Sequence, residues 1–462
     1  MNRIITIILL IFNVLSVYSQ NVFININGDN VRNQTVRLSC IDDRISLMER
    51  NLKTVNTDEN TTSIDINIIL DCTKELILKM GVKEYHFLAV PGNTYSLKIL
   101  PYDEDKYSFS VKEILPVVFS IEKDDNVNYR MEDVDTCLNN FVSDNLRMLY
   151  MKDSSTFAAL NTLEKQLTRK YIRNEYISAY IKYEFASLKY GLSLSNRKKL
   201  QMELFQNSPV LYDNIGYMDC FNTVFSHYFS QGYKFISAED IEKWLDGVNY
   251  SAFNDALGRD SVLKNEIVRE VVFLQGMKDA FLDGVFSRSR IFAMLDKFET
   301  QTKFSEHKKV AENLKEYLSA RDFHGKKISD LKFKNIEGNT VSLNEFLDKP
   351  LVICLVQLDC TACLKELQTI NYYYDSIKDN CNIAVVCLDN SFEKMYNFVR
   401  NSKIGSLYQF PFLYFDNNWE IVEEFKLHFF PTFILMNTDG TIKRNPMESP
   451  SAGSLKQFMN KK

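Results

Sequence analysis

Residues 351–358 read LVICLVQL, and this run constrains the fold more than any other feature of the chain. It is too short for a buried helix and shows no alternation, so it has no face to give to water. A strand of that kind belongs inside a parallel sheet covered by helices on both faces. The sequence on either side agrees. DCTACLKELQ opens a helical stretch at residue 359, NIAVVCLD at 382–389 is a second buried strand, and a further helix is expected from about Ser391. PFLYF and PTFILMN supply more strands, and Asp439-Gly440 turns the chain into the last one. Upstream, LKFKNIEGNTVSL predicts a hairpin turning at Gly338-Asn339, followed by a short helix with a capping box from Ser342 to Glu345. The expected order is βαβαβαββα, an α/β domain over residues 322–462.

Other periods govern the rest of the chain. Over residues 20–118 apolar side chains alternate, as in Val22, Ile24, Ile26; Val36, Leu38, Cys40; Ile64, Ile66, Ile68; and Tyr95, Leu97, Ile99 after a Pro91-Gly92 turn. This predicts a β-rich, sandwich-like domain. From 119 to 321 the spacing is helical, as in Ile177, Tyr180, Ile181, Phe185, Leu188 and in Leu263, Ile267, Val271, Leu274, Met277, Phe281. An all-α domain is expected there, its aromatic stripes forming core rather than a cofactor box. The chain is therefore read as multi-domain: β-sandwich-like, then all-α, then α/β.

Residues 1–19 have Arg3 before an apolar run from Ile4 to Leu15, then Ser16 and Ser19, which is the pattern of a signal peptide cleaved after Ser19. The run is too short to span a bilayer, and no later stretch is long enough. The first cysteine is Cys40, so no lipid-anchored mature end is expected. Export to a periplasm follows as the expected location. A net charge of -5, with lysines and arginines dispersed among carboxylates, argues against nucleic acid as a partner.

Three features in order carry a family resemblance: a strand leading into Cys360-Thr361-Ala362-Cys363 and a helix; Pro431 directly before a strand in FFPTFILMNTDGTI; and the DGTI hairpin beyond. Residues 325–462 thereby resemble the thioredoxin-fold domain of TlpA/ResA-like thiol-disulfide oxidoreductases, and the three-part layout resembles exported thioredoxin-family proteins of Bacteroidetes. The resemblance implies a redox-active disulfide at Cys360 and Cys363. It makes Pro431 a cis-proline beside the pair and gives Glu366 the place of a glutamate that tunes the second cysteine. Glu366 is otherwise read as an ordinary solvated carboxylate. Protein disulfides and dithiols are the implied substrates, with a membrane or periplasmic electron donor and no cofactor or metal. The sequence departs from the pattern at Asp359, where an aromatic residue is usual, at Ala362, where proline is usual, and at Cys354, where thioredoxin has a buried acid.

The chemistry has a physical basis. A thiolate is the nucleophile, and a cysteine at a helix N-terminus is stabilised by unpaired N–H groups and the helix dipole. Cys360 holds that place, and Cys363 one turn on can resolve a mixed disulfide formed by Cys360. A structural disulfide at this spacing would close too small a loop to gain much chain entropy. His428 and Cys354 form no recognised metal-ligand pattern with the pair. No Pro-x-x-x-Thr-x-x-Cys leads into Cys360, which argues against a peroxidase. The competing reading is a redox-inert thioredoxin-fold adaptor. Cys354 and Cys387 are expected as buried hydrophobes, Cys40 and Cys72 as a possible pair, and Cys137, Cys220 and Cys381 carry no assignment. Asp359 and Glu366, with Lys365 as the one nearby cation, predict a reducing pair, with a potential below about -200 mV.

Overall fold

The computed structural model describes residues 20–81, 83–101, 113–121, 126–229, 236–323, 325–328, 330–389, 391–416, 421, 425, 427 and 430–459. The expected signal peptide, its cleavage site and His428 lie outside these residues. The chain divides into two compact units, residues 1–101 with 115–314, and residues 102–114 with 315–462. The β-rich and helical stretches share the first unit, and the division at 314/315 falls inside the helix Ser305–Ala320.

In the first unit, one sheet carries the strands Ser63–Leu70, Gln20–Asn27, Thr94–Ile99 and Val117–Ile121 side by side. A second carries Glu49–Asn56, Thr35–Ile41, Lys74–Met80 and Lys83–Ala89. The period-two pattern is largely realised: Val22, Ile24, Ile26, Tyr95, Leu97 and Ile99 are buried and alternate with less buried neighbours, the apolar Phe23 among the exposed ones, while Ile68 is only half-buried. The helices that follow begin where short polar side chains can accept orphan N–H groups. Asn126, Asp153, Asn174, Asn214, Ser237 and Asn249 each cap one helix in this way. Capping also interrupts one expected stripe. Asn265 starts the helix Glu266–Leu282, which leaves Leu263 in the preceding turn and Ile267 on the surface, while Val271, Leu274, Met277 and Phe281 are buried.

The aromatic stripes of this region are core, as expected, although Tyr129 and Tyr150 are exposed. Phe205, Phe221, Phe225, Phe253, Phe273 and Phe298 are fully buried, with ring centroids 4.6 Å apart for Phe221 and Phe225. Gly276 is required by this packing, since a Cβ there would lie 2.3 Å from the Phe229 ring. Polar bonds join the turn between Thr35–Ile41 and Glu49–Asn56 to helices within the unit: Lys278 donates to the Ile45 carbonyl at 2.7 Å, and Asn313 to Asp43 at 2.9 Å.

The second unit holds a mixed sheet with strand order Thr340–Ser342, Lys332–Lys334, Phe412–Tyr414, Asn382–Cys387, Leu351–Val356, Thr432–Met436, Ile442–Met447. Leu351–Val356 is buried at every position, parallel to Asn382–Cys387 and antiparallel to Thr432–Met436. The helix Thr361–Ile377 follows the first of these and Phe392–Asn401, capped by Ser391, follows the second. The expected hairpin forms at Lys332–Lys334 and Thr340–Ser342, and the Ser342–Glu345 capping box is present. Ile442–Met447 accommodates Pro446 because an edge strand can lose one ladder donor. The expected final helix is instead two short 3-10 turns, Pro450–Ala452 and Ser454–Phe458. Gly453, at φ +94°, breaks the chain direction between them. This unit is a thioredoxin-like α/β fold. Among the described residues no helix is long and apolar enough to cross a membrane.

Candidate functional site

The site forms where the central parallel strands end. Beyond Val356 the chain turns, with the Cys360 N–H donating to the Gln357 carbonyl at 3.2 Å. Cys360 is the N-cap of the helix Thr361–Ile377, in extended conformation, and its carbonyl accepts the first helical bond from Leu364 at 3.0 Å. Its sulfur does what a serine oxygen does at other helix starts: it accepts the Cys363 N–H at 3.2 Å. Cys360 is half-buried among exposed Asp359, Thr361 and Ala362, whereas Cys363 is fully buried behind it. The pair is thus asymmetric, one sulfur within reach and one sealed.

All nine cysteines are free thiols, so Cys40 and Cys72 are not joined. Burial is the main cause pushing the Cys363 thiol well above its ordinary value. The bond to the Cys360 sulfur and the charge of Asp389 act in the same direction, against a backbone bond at Gln357. Cys354 and Cys387 are completely buried in the strands and raised by burial, the behaviour of small hydrophobes. At the position where thioredoxin has its acid, Cys354 lies in the core with no proton-accepting role to offer.

Pro431 follows a cis peptide bond from Phe430, as the resemblance implied. The antiparallel pairing of Thr432 with Leu355 puts it at the sheet end from which the cysteine turn departs. Glu366 is not the solvated carboxylate that was the other expectation. It is 9% exposed, and its carboxylate accepts the Ser451 N–H at 2.9 Å and the Ser451 hydroxyl.

Two residues that the sequence reading passed over complete the site. Asp389 stands two positions beyond Cys387, which pairs with Val356, so parallel register brings it beside the turn that follows Val356. Its buried carboxylate accepts the Leu358 N–H at 3.1 and 3.2 Å. Lys394, from the first turn of Phe392–Asn401, then bridges Asp389 at 2.6 Å and exposed Asp359 at 2.5 Å. Burial raises the Asp389 carboxyl above the usual range, partly offset by its bonds to Lys394. For Lys394, burial pulls down, but the bonds to both carboxylates prevail and its pKa is raised. Among the described residues the cation at the site is Lys394 rather than Lys365, which is exposed. The available signal was topological: an aspartate at the carboxyl end of the second parallel strand, just before a capped helix carrying a lysine, at the end of the sheet where α/β proteins place their sites.

The AhpC/TSA family model matches residues 324–445. No curated protein matches the chain. Among solved structures, the chain is similar to the thioredoxin domain of a thiol-disulfide oxidoreductase from Bacteroides vulgatus, at 23% identity over 30% of this chain and 98% of that one, with a TM-score of 0.25. It is also similar to a thiol:disulfide interchange protein from Bacteroides sp., at 22% identity over 30% and 91% of the two chains, with a TM-score of 0.26. A thioredoxin-like protein from Bacteroides caccae matches at 15% identity over 51% of this chain and 91% of that one, with a TM-score of 0.31.

Proposed function

We propose that this protein is an exported thiol-disulfide oxidoreductase that reduces or isomerises disulfides of cell-envelope proteins through Cys360 and Cys363. The observation that carries the reading is the 3.2 Å bond from the Cys363 N–H to the Cys360 sulfur at the start of a helix, with Cys363 sealed behind it. A sulfur so placed is open to a substrate disulfide, whereas Cys363 is reached only from within the pair.

The Cys360 thiolate attacks one sulfur of a substrate disulfide and expels the other as a thiolate, which takes up a proton. Cys363 then loses its proton and attacks the Cys360 sulfur of the mixed disulfide, expelling the second substrate thiolate. The substrate gains two electrons and two protons, and the protein keeps a Cys360–Cys363 disulfide until an envelope electron donor reduces it. Pro431, at the same sheet end, supplies a wall for the substrate segment. The test is insulin reduction by the purified protein, with trapping in cells. Cys363→Ser should accumulate mixed disulfides on gels run without reductant, and Cys360→Ser should give none. Equal trapping by both variants refutes these roles, and an inert wild type favours the redox-inert adaptor.

A further inference from the structure

We propose that the helical region of the first unit carries a separate binding site for a small monoanionic amphiphile, a carboxylate on an apolar chain of medium length. A cavity of about 540 Å³ opens between the helices Ser154–Lys170 and Glu175–Gly191 and the segment from Leu194 to Leu204. Its size is that of a small-molecule site. Phe157, Leu160, Asn161 and Glu164 recur at helical spacing along one helix, and Lys182, Ala186 and Lys189 along the other, so one stripe of each lines the cavity. The third wall, Arg197–Leu200, runs on as a π-helical turn, Gln201–Phe205, a rare form that recurs at functional sites. Cys360 and Cys363 belong to the other unit, so this site stands apart from the dithiol reading.

The lining divides into an apolar floor and a charged rim. Leu160, Ala186, Leu200 and Leu204 are buried, and Phe157 and Leu194 half-buried, so an apolar chain in the cavity meets carbon on several sides. Three lysines stand around this floor against two glutamates, which leaves one positive charge. Lys189 donates to Glu164 at 2.5 Å, with both side chains mostly buried, and that pair is committed to itself. Lys199 and Glu203 are 3.8 Å apart and more than half exposed, so water weakens their attraction. Lys182 has no ion pair among the described residues; its ammonium lies 5.0 Å from the centre of the Tyr183 ring. A cation left over at the rim of an apolar cavity is complementary to one anionic group on an apolar body. A carboxylate fits better than a phosphate, because the surplus is a single charge and none of the lining residues is an arginine, the side chain that grips phosphate oxygens in pairs.

The test titrates decanoate into the full chain by calorimetry, at mildly alkaline pH and below its micelle concentration. Decanoate should bind at one saturable site per chain. Octanoate and hexanoate should bind more weakly, by about fourfold for each methylene lost from the cavity. Decyltrimethylammonium, of equal length and opposite charge, should not bind. Lys182→Gln, at an exposed position, should weaken decanoate binding about tenfold. Lys182→Arg keeps the charge and should bind as the wild type does, which separates a lost contact from a damaged fold. Asn161→Trp, adding bulk from an exposed helical position that lines the cavity, should abolish binding with the melting curve unchanged. Absence of saturable binding overturns the inference. So does equal affinity for the two amphiphiles, or binding that ignores Lys182→Gln, since either reduces the cavity to a non-selective apolar surface. Tighter binding of decyl phosphate, a dianion at that pH, overturns the carboxylate assignment.

Discussion

Glu366 offers the sharpest separation of a catalytic from a structural carboxylate in this protein. Its two bonds run to Ser451, at the first of the two C-terminal 3-10 turns. A second clasp joins Asn380, just past the same helix, to the Phe458 carbonyl at 3.0 Å. The C-terminal segment is thus strapped to the helix at both ends. A hydrogen bond to a charged group contributes about 1.5–3 kcal/mol, but Ser451 is exposed and water can replace its acceptor. Removing the buried carboxylate also relieves its desolvation. Glu366→Ala should therefore cost about 1–2 kcal/mol of stability in the thioredoxin-like unit. Glu366→Gln, whose amide can accept the N–H and donate to the hydroxyl, should cost about 0.5 kcal/mol or less. Urea unfolding measures the stability. The aromatic disulfide DTNB, mixed in stopped flow with a chain in which Cys72 and Cys137 are replaced by serine, measures whether Cys363 still displaces the thionitrobenzoate held by Cys360 at its normal rate. If Glu366 were the proton acceptor for Cys363, the isosteric glutamine would abolish that role and slow resolution at neutral pH with stability unchanged. A tenfold or larger loss of that kind, about 1.4 kcal/mol in the barrier, refutes the strap and restores a catalytic assignment.

Two further outcomes are expected. His86 donates from both ring nitrogens, to Glu75 at 2.8 Å and Glu84 at 2.9 Å, and these bonds raise its pKa to about 9 against the pull of burial. Because the folded value is raised, its contribution to stability is full below an unfolded pKa of about 6.5 and is lost as pH rises through about 9. The melting-temperature difference between wild type and His86→Gln should shrink across that window, and a pH-independent difference would contradict the ion pairing. The second concerns redox poise. Two carboxylates, Asp359 and Asp389, share the Lys394 ammonium, so the cluster keeps net negative charge beside the pair. Equilibration with dithiothreitol buffers should give a potential below about -200 mV, and a value near about -120 mV would break the charge argument.

What was legible in the sequence was whatever depends on local period or on position within one element. LVICLV could only be a doubly buried strand, the Ser342–Glu345 box announced its own helix start, and a cysteine at the head of a helix needs no distant partner to be recognised as an N-cap. The C-terminal helix failed for a local reason too. Gly453, in the left-handed conformation, ends the turn that Pro450 begins and divides the segment into two short turns. Leu263 and Ile267 fit a helical stripe by spacing, yet Asn265 between them takes the capping role and places them in different elements.

The charges at the site were not legible in the same way, because charge compensation is a property of tertiary neighbours. Counting along the chain from Cys360 finds Asp359, Lys365 and Glu366, which gives an acidic neighbourhood with one cation. Folding rearranges all of them. Lys365 turns to solvent, Glu366 is spent on Ser451, and Asp359 is met by Lys394, 35 positions away. The buried carboxylate that holds the turn leading into the pair is Asp389, across the parallel strand pair. A sequence window around a reactive pair therefore reports the wrong carboxylates, although its net sign survives. The register Val356 with Cys387 supplies the missing rule. In parallel strands, residues equally far past the last paired position emerge at the same edge, so Leu358 and Asp389 were bound to meet once both strands were assigned. Reading outward from paired strand ends, rather than along the chain from the cysteines, would have found the acid that holds the turn before Cys360 and, in the first turn of the capped helix that follows, the lysine that balances it.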